Sequence, residues 1–435
     1  MSTVEASDEV VRICQDLIRI DTTNTGDTTT SSGERAAAEY VAGQLAEVGL
    51  EPVMHESAPG RTSLVARFPG ADPGRDALLV HGHLDVVPAD PGEWSVHPFS
   101  GEQRDGYLWG RGAVDMKDFD AMVLAVVRRW RREGRTPPRD LVLTFLADEE
   151  AGGRYGAHHL VDHRPELFDG VTEGIGEVGG FSVTVGDLRL YLIETAQKGI
   201  SWIRLTATGR PGHGSMVHDD NAVTRLCDAV ARLGQHRFPI ELTPTVRAFL
   251  EQVSDALGIE LDPGDPESAV AKLGPIARII GATLRNTVNP TMLDAGYKAN
   301  VIPGRATAIV DGRTLPGQEA GFLERIRELI GPDMAAEYVE HQPALQTSFD
   351  GALVDAMADA LRETDPAARP VPYMLSGGTD AKAFSRLGIR CFGFAPLKLP
   401  PDLDFAALFH GIDERVPVDG LRFGVDVLDR FLSRC

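Results

Sequence analysis

The residues best suited to chemistry stand at the ends of apolar runs. In "LLVHGHLDVVPAD", residues 78–90, an apolar stretch leads into His81, His83 and Asp85. Residues two apart on a strand share a face, so His83 and Asp85 point the same way. One use of that pair is metal ligation by His83, with Asp85 gripping the other ring nitrogen and fixing its tautomer. The plainer use is a hydrogen-bonded core histidine. In "LTFLADEEAGG", residues 143–153, an apolar strand runs into Asp148, Glu149 and Glu150. Three adjacent acids repel one another unless cations or donors compensate. "WGRGAVDMKD" places Asp115 after Gly110 and Gly112 and just before a helix, where an N-cap is the simplest role. "GIGEVGGF" sets Glu177 among glycines, and "LFHGIDERVP" sets His410 behind Leu408 and Phe409.

Taken together, two imidazoles and three carboxylates make a ligand set for two divalent cations, provided one acid bridges. With Asp115 bridging, one ion takes His83, Asp115 and Glu177, and the other takes His410, Asp115 and Glu150. Three protein ligands per ion leave an open position, the pattern of a catalytic rather than a structural site. Zinc suits mixed imidazole and carboxylate ligands, with cobalt or manganese as substitutes. An acid beside such ions that does not ligate them can take a proton from water and deliver it to a leaving nitrogen. Spacing alone does not decide which of Glu149 and Glu150 ligates and which acts as the base.

Positioning these groups requires strands that end together. "TSLVARF", "ALLVHGH", "LVLTFLA" and "LYLIET" read as strands, and residues 10–18, 34–49, 117–133 and 155–162 read as helices. Alternation of this kind predicts an α/β sheet covered on both faces, with ligands gathering at the carboxyl ends of its strands. From about residue 196 the pattern changes. "ISWIRLTATG" alternates cleanly, and the helix "NAVTRLCDAVARLG", a strand region at 299–315 and the helix "EAGFLERIRELI" follow. The expected organisation is a catalytic domain from residues 1–195 and 346–435, with a smaller lid or dimerisation domain at 196–345. A Pro-, Gly- and Asp-rich insertion near 244–285 lengthens the smaller domain.

At 435 residues the chain is too long for one ordinary core. Its 43% hydrophobic and 25% charged residues are those of a globular protein. A net charge of −21 argues against a nucleic-acid or anionic-membrane partner. No apolar run approaches a membrane span, and the N-terminal residues lack a signal-peptide pattern. Cys14, Cys227, Cys391 and Cys435 are widely spaced, as expected of reduced thiols in a cytoplasmic protein.

Seven motifs in order, "HGHLDVVP", "GRGAVDMK", "DEEAGG", "GRPGHGS", "NVIPGRATAIVDGR", "SGGTDAKAF" and "HGIDERVP", resemble the di-zinc metallopeptidase family twenty. That family includes aminoacylase, glutamate carboxypeptidase, acetylornithine deacetylase and succinyl-diaminopimelate desuccinylase, and the likeness runs from about residue 10 to 430. The resemblance implies a mixed-sheet catalytic domain with an inserted ferredoxin-like α+β domain. It implies hydrolysis of an amide or peptide bond in a small carboxylate-bearing substrate: an N-acyl amino acid, a dipeptide or a peptide C-terminus. It assigns His83, Asp115, Glu150, Glu177 and His410 to two zinc ions, Glu149 to the general base and Asp85 to orienting His83. It further implies a cis peptide between Asp115 and Met116, and carboxylate binding by Asn300, Arg313 and the backbone around Gly378. His213 matches a histidine that reaches the substrate carbonyl in the partner's site of a homodimer. Two alternatives stand beside this reading. One is a barrel amidohydrolase using His81 and His83 as a metal pair, and the other is a non-catalytic binding protein that kept the fold.

Overall fold

The computed structural model describes residues 6–258 and 264–435. Residues 1–5 and 259–263 lie outside it, and with them part of the N-terminal stretch and of the 244–285 insertion read above.

The larger unit is built on a mixed sheet. From one edge its order is Val53–Ala58, Arg61–Phe68, Leu141–Leu146, Ala77–His83, Val171–Gly176, Arg390–Gly393 and Leu188–Gln197. Ala77–His83 lies at the centre, parallel to both Leu141–Leu146 and Val171–Gly176, and all of it is buried. Burial on both faces explains why it reads as a continuous apolar run. Leu78 and Val80 join a core shared with Leu17, Phe119 and Leu428 of helices Ala6–Arg19, Lys117–Glu133 and Val418–Leu432. Leu79 faces the other way, into a core with Leu160, Ala383 and Phe384. This is the expected α/β architecture. The barrel alternative is overturned, because the sheet is open and contains antiparallel pairs rather than eight parallel strands closing on themselves.

The smaller unit is an antiparallel sheet in the order Thr287–Ala295, Arg305–Thr314, Gly199–Thr208, Met334–Gln342. Helices Ala222–Gln235 and Phe322–Ile330 cover one face through Leu226, Leu233, Phe322 and Ile326. Strand, helix, two strands, helix and strand in sequence make a ferredoxin-like unit. The alternating burial of Gly199–Thr208 follows from its having one covered face.

The chain passes from the large sheet to the small one at Lys198 and returns between Gln342 and Leu345. Both passages are tied to one side chain, since Lys382 Nζ donates to the carbonyls of Lys198 and Pro343, each at 2.8 Å. The 244–285 segment behaves differently from a lengthening of the small domain. Val246, Phe249, Leu250, Leu273 and Ile280 join the core of the large unit, so the described residues of this segment pack on the large sheet.

Candidate active site

Three neighbouring parallel strands in the middle of the sheet deliver the site at their carboxyl ends. Ala77–His83 ends in His83, Leu141–Leu146 leads into Asp148, Glu149 and Glu150, and Val171–Gly176 leads into Glu177. Asp115 enters just ahead of helix Lys117–Glu133 and is joined to Met116, the residue before the helix, by a cis peptide. His410 arrives from a loop after the short turn Phe405–Ala407. Asp148, Val178 and His410 all hold left-handed backbone, at φ 68°, 54° and 57°. For Val178 this is a steric outlier, and it falls immediately after Glu177, where strain is tolerated because the surroundings fix the chain.

Asp115 stands between the two histidines. Its Oδ1 is 3.1 Å from His83 Nε2 and its Oδ2 is 3.2 Å from His410 Nε2. Glu177 Oε2 lies 3.6 Å from His83 Nε2, and Glu150 Oε2 lies 3.0 Å from His410 Nε2. Glu149 approaches only the first histidine, at 3.9 Å. Ligand atoms of His83, Glu149 and Glu177 fall within 4.8 Å of one another, as do those of His83, Asp115 and Glu150.

Asp85 acts more widely than its sequence position suggests. His83 Nδ1 is 3.0 Å from the Asp85 carbonyl oxygen and 3.5 Å from its carboxylate. A proton on Nδ1 donated there leaves Nε2 facing the acids, where it donates to Asp115 when protonated and offers its lone pair to a cation when not. The Asp85 carboxylate itself accepts from the backbone N–H groups of Glu149 and Glu150, each at 3.1 Å, and from Asn24 Nδ2 at 2.8 Å. One buried residue therefore serves both, its carbonyl fixing the tautomer of His83 and its carboxylate the path of the acidic turn. Asn24 Oδ1 in turn accepts from Arg61, and Arg61 pairs with Glu34. Neither Asn24 nor Arg61 stands out in the sequence.

The electrostatics call for positive charge. Burial and the neighbouring Glu177 push Glu149 well above the usual carboxylate range. Burial and Asp115 push Glu150 up to about 7, and burial raises Glu177 as well. Asp115 stays below the usual range despite its burial, because both imidazoles donate to it. The hydrogen bonds to Asp115 and Glu150 raise His410 to about 10. Among the described residues, Asp115, Glu150 and Glu177 have these imidazoles as their ion-pair partners, and Glu150 Oε1 is buried without a hydrogen-bond partner. Clustered buried carboxylates with unspent lone pairs, facing imidazole nitrogens, fit divalent cations.

The other sequence candidates divide into two groups. Arg313 and Gly378 line the cavity in front of this cluster, with the Arg313 guanidinium held by Asp311 at 2.7 and 3.0 Å. His213 and Asn300 are exposed and do not line it. They sit together on the ribbon formed by Gly212–His213 and Val301–Ile302, where Gly214 N donates to the Asn300 carbonyl at 2.9 Å. His81 is a buried, neutral core residue against Phe384, with a ring-centroid distance of 5.2 Å, and burial lowers its pKa to about 3. His158 contributes to the cavity wall, as does the buried Asp380.

A mixed sheet whose parallel strands end in imidazoles and carboxylates suited to divalent cations is the architecture of a metallopeptidase-class hydrolase. The chain belongs to peptidase family M20/M25/M40, whose family model matches residues 79–434. It is 29% identical to aminoacylase-1 of Sus scrofa over 414 residues, which covers 92% of this chain and 89% of that protein. Among solved structures it resembles the M20 family metallo-carboxypeptidase Sso-CP2 from Sulfolobus solfataricus. There the TM-score is 0.73 at 19% identity, over 98% of this chain and 99% of the other. Human carnosine dipeptidase 1 shares the fold at a TM-score of 0.70 and 18% identity, over 98% and 96%.

Proposed function

We propose that this protein is a two-metal hydrolase that cleaves an amide or peptide bond in a small substrate bearing a free carboxylate: an N-acyl amino acid, a dipeptide or a peptide C-terminus. The observation that carries the reading is Asp115, with one carboxylate oxygen facing each imidazole and Glu177 and Glu150 flanking the two sides. His83, Asp115 and Glu177 would hold one cation and His410, Asp115 and Glu150 the other, with zinc favoured by the donor set and cobalt or manganese able to replace it. When bound, such ions supply Lewis acidity and make water nucleophilic at neutral pH.

The chain's own groups do the rest. Glu149 takes the proton of the attacking water on its carboxylate and hands it to the leaving nitrogen. Its buried, acid-rich surroundings raise its proton affinity, which suits it to hold that proton between the two transfers. Arg313 and the backbone around Gly378 hold the substrate carboxylate through charge-assisted hydrogen bonds. Asp85 keeps His83 and the Glu149–Glu150 backbone in place.

His213 is proposed to serve a second copy of the chain. Its Nδ1 accepts from the backbone N–H of Ser215 at 3.2 Å, which leaves Nε2 as the donor edge, the one needed beside a carbonyl oxygen becoming negative. The exposed ribbon it shares with Asn300 supports this role, as do the exposed Met292 and Leu293 on the outer strand of the small sheet and the nearby Tyr297. Edge strands that present apolar side chains invite pairing.

The test of the hydrolase reading is a panel of N-acyl amino acids and dipeptides assayed with added zinc, cobalt or manganese, alongside elemental analysis. Turnover lost on chelation, restored by metal and maximal at two ions per chain is expected. Full activity with one tightly bound ion and no response to a second would remove the two-metal reading.

A further inference from the structure

Gln197 puts an amide where an apolar strand has no need of one. It ends the strand Leu188–Gln197, beside Lys198 where the chain passes to the small unit, and it is 1% exposed. Its partner in the parallel register is Leu375, the last residue of strand Ala368–Leu375. From there the chain turns through residues 376–380, which line the cavity in front of Asp115 and His410, before helix Ala381–Ser385 begins.

The Gln197 amide closes on the far end of this loop. Its Oε1 accepts from the backbone N–H of Thr379 at 3.0 Å, and its Nε2 donates to Thr379 Oγ1 at 2.7 Å. Nε2 also donates to Oε2 of the buried Glu194 at 3.4 Å. A backbone N–H can only donate, so the amide oxygen must face it and one orientation of Gln197 satisfies all three bonds. Thr379 Oγ1 in turn accepts from the N–H of Ala381, in the first turn of the helix, at 3.2 Å. At the near end the Lys198 N–H donates to the Leu375 carbonyl at 3.0 Å. Both ends of the loop are thus fastened to two consecutive residues.

The stretch between them has little shape of its own. Gly377 and Gly378 are adjacent, and glycine leaves the backbone free to adopt many conformations. A Cβ on Gly378 would come within 2.5 Å of Lys382 Cε and 3.0 Å of Ile200 Cδ1, so no larger residue can stiffen the loop there. Its order must come from its ends.

We infer that Gln197 is a positioning residue: through Thr379 its amide holds the 376–380 loop in the shape that receives the substrate, from the residue adjoining the passage between the two units. The inference rests on the hydrolase reading above. Gln197 does not itself line the cavity. Filling the space it occupies requires volume only, whereas fixing the loop requires a donor and an acceptor together.

Gln197→Met keeps the volume and removes all three bonds. In hydrogen exchange on protein without substrate, the amides of residues 376–381 should exchange at least about tenfold faster in the variant, with those of Ala368–Leu375 within about twofold. With the best substrate of the acyl amino acid and dipeptide panel, at saturating metal, KM should rise about tenfold while kcat stays within about threefold. In a cycle with Thr379→Val, the double variant's KM should fall at least about threefold short of the product of the two single effects, because both remove one shared bond. If Gln197→Met does not fold, Gln197→Glu, which keeps the volume and an acceptor for the Thr379 N–H but has no amide donor, takes its place in all three measurements. Loop exchange that is unchanged, or that rises equally in Ala368–Leu375, overturns the inference. So does a KM that does not move, or single effects that simply multiply, and in each of these cases the hydrolase reading stands. A wild-type protein that hydrolyses nothing in the panel overturns both.

Discussion

Arg111 Nη1 donates to Glu414 Oε2 at 2.7 Å across 303 residues of chain, and the pair is fully buried. Glu414 Oε1 accepts from the backbone N–H groups of Val114 at 2.8 Å and Asp115 at 3.3 Å. Arg111 Nη2 reaches the His410 carbonyl at 3.5 Å. One ion pair thus fixes the backbone of the acid that faces both imidazoles and of one of those imidazoles.

Glu414→Gln keeps the shape and an acceptor oxygen but removes the charge that Arg111 needs. Groups that hold ligands in place are typically worth about 10–100-fold in metal affinity. The variant is expected to bind zinc that much more weakly in chelator competition while its KM, measured at saturating metal, stays within about twofold. Unchanged metal affinity would reduce the pair to a structural contact.

Glu149 and Glu150 are adjacent yet differ in what they touch, since Glu150 meets His410 at 3.0 Å and Glu149 does not. Glu149→Ala should abolish turnover with metal content nearly intact, and Glu150→Ala should lose metal. Equal metal loss in both would show that the two roles are not divided this way.

Complementation decides where His213 works. His213→Ala and Glu149→Ala are each expected to be inactive alone. After free subunit exchange in a twofold dimer, half the molecules are hybrids with one complete site of two, so roughly a quarter of wild-type activity should return. A mixture that stays dead despite demonstrated exchange places His213 in its own chain's chemistry or outside it.

Asp365 gives a stability prediction with a definite pH window. It caps the helix Ala352–Thr364 and accepts from Arg189 at 2.7 Å and Tyr191 at 2.9 Å. Burial alone would raise its pKa, but these donors hold it below the ordinary value. A carboxyl with a depressed folded pKa stabilises the protein above its unfolded pKa, and the contribution is lost as pH falls through the folded one. Asp365→Asn should therefore cost about 2–3 kcal/mol at pH 7. In urea titrations its gap from wild type should close as the pH falls below about 4. A gap constant from pH 7 to 3 would show that charge plays no part.

The strand Ala77–His83 was legible because it is apolar throughout and ends in groups that an ordinary core does not collect. Val171–Gly176, which delivers Glu177, was not legible. Its Gly174 and Gly176 give it no strand signature, and both have spatial reasons. A Cβ at Gly174 would press on Leu79 at 3.3 Å, and one at Gly176 would overlap the His81 ring at 2.2 Å. The outer strand Thr287–Ala295 was hidden for the opposite reason. Mostly exposed, with Pro290 beside an irregularity in register, it carries no alternation to read. In the site, the imidazoles and acids announced themselves by type and position. Asn24, Arg61, Arg111 and Glu414 did not, because a charged or amide side chain reads as surface until a partner distant in sequence buries it.

Lys382 and Lys198 bear on how the two units can move. Lys382 gathers the outgoing passage at Lys198 and the returning one at Pro343. Lys198 Nζ reaches the Arg285 carbonyl at 2.8 Å and Thr287 Oγ1 at 3.1 Å, where the chain comes back from its excursion onto the large unit. Three separate passages therefore converge on two neighbouring ammonium groups, like threads through one knot. The passages between the two units are thus held by buried cations rather than left as free tethers.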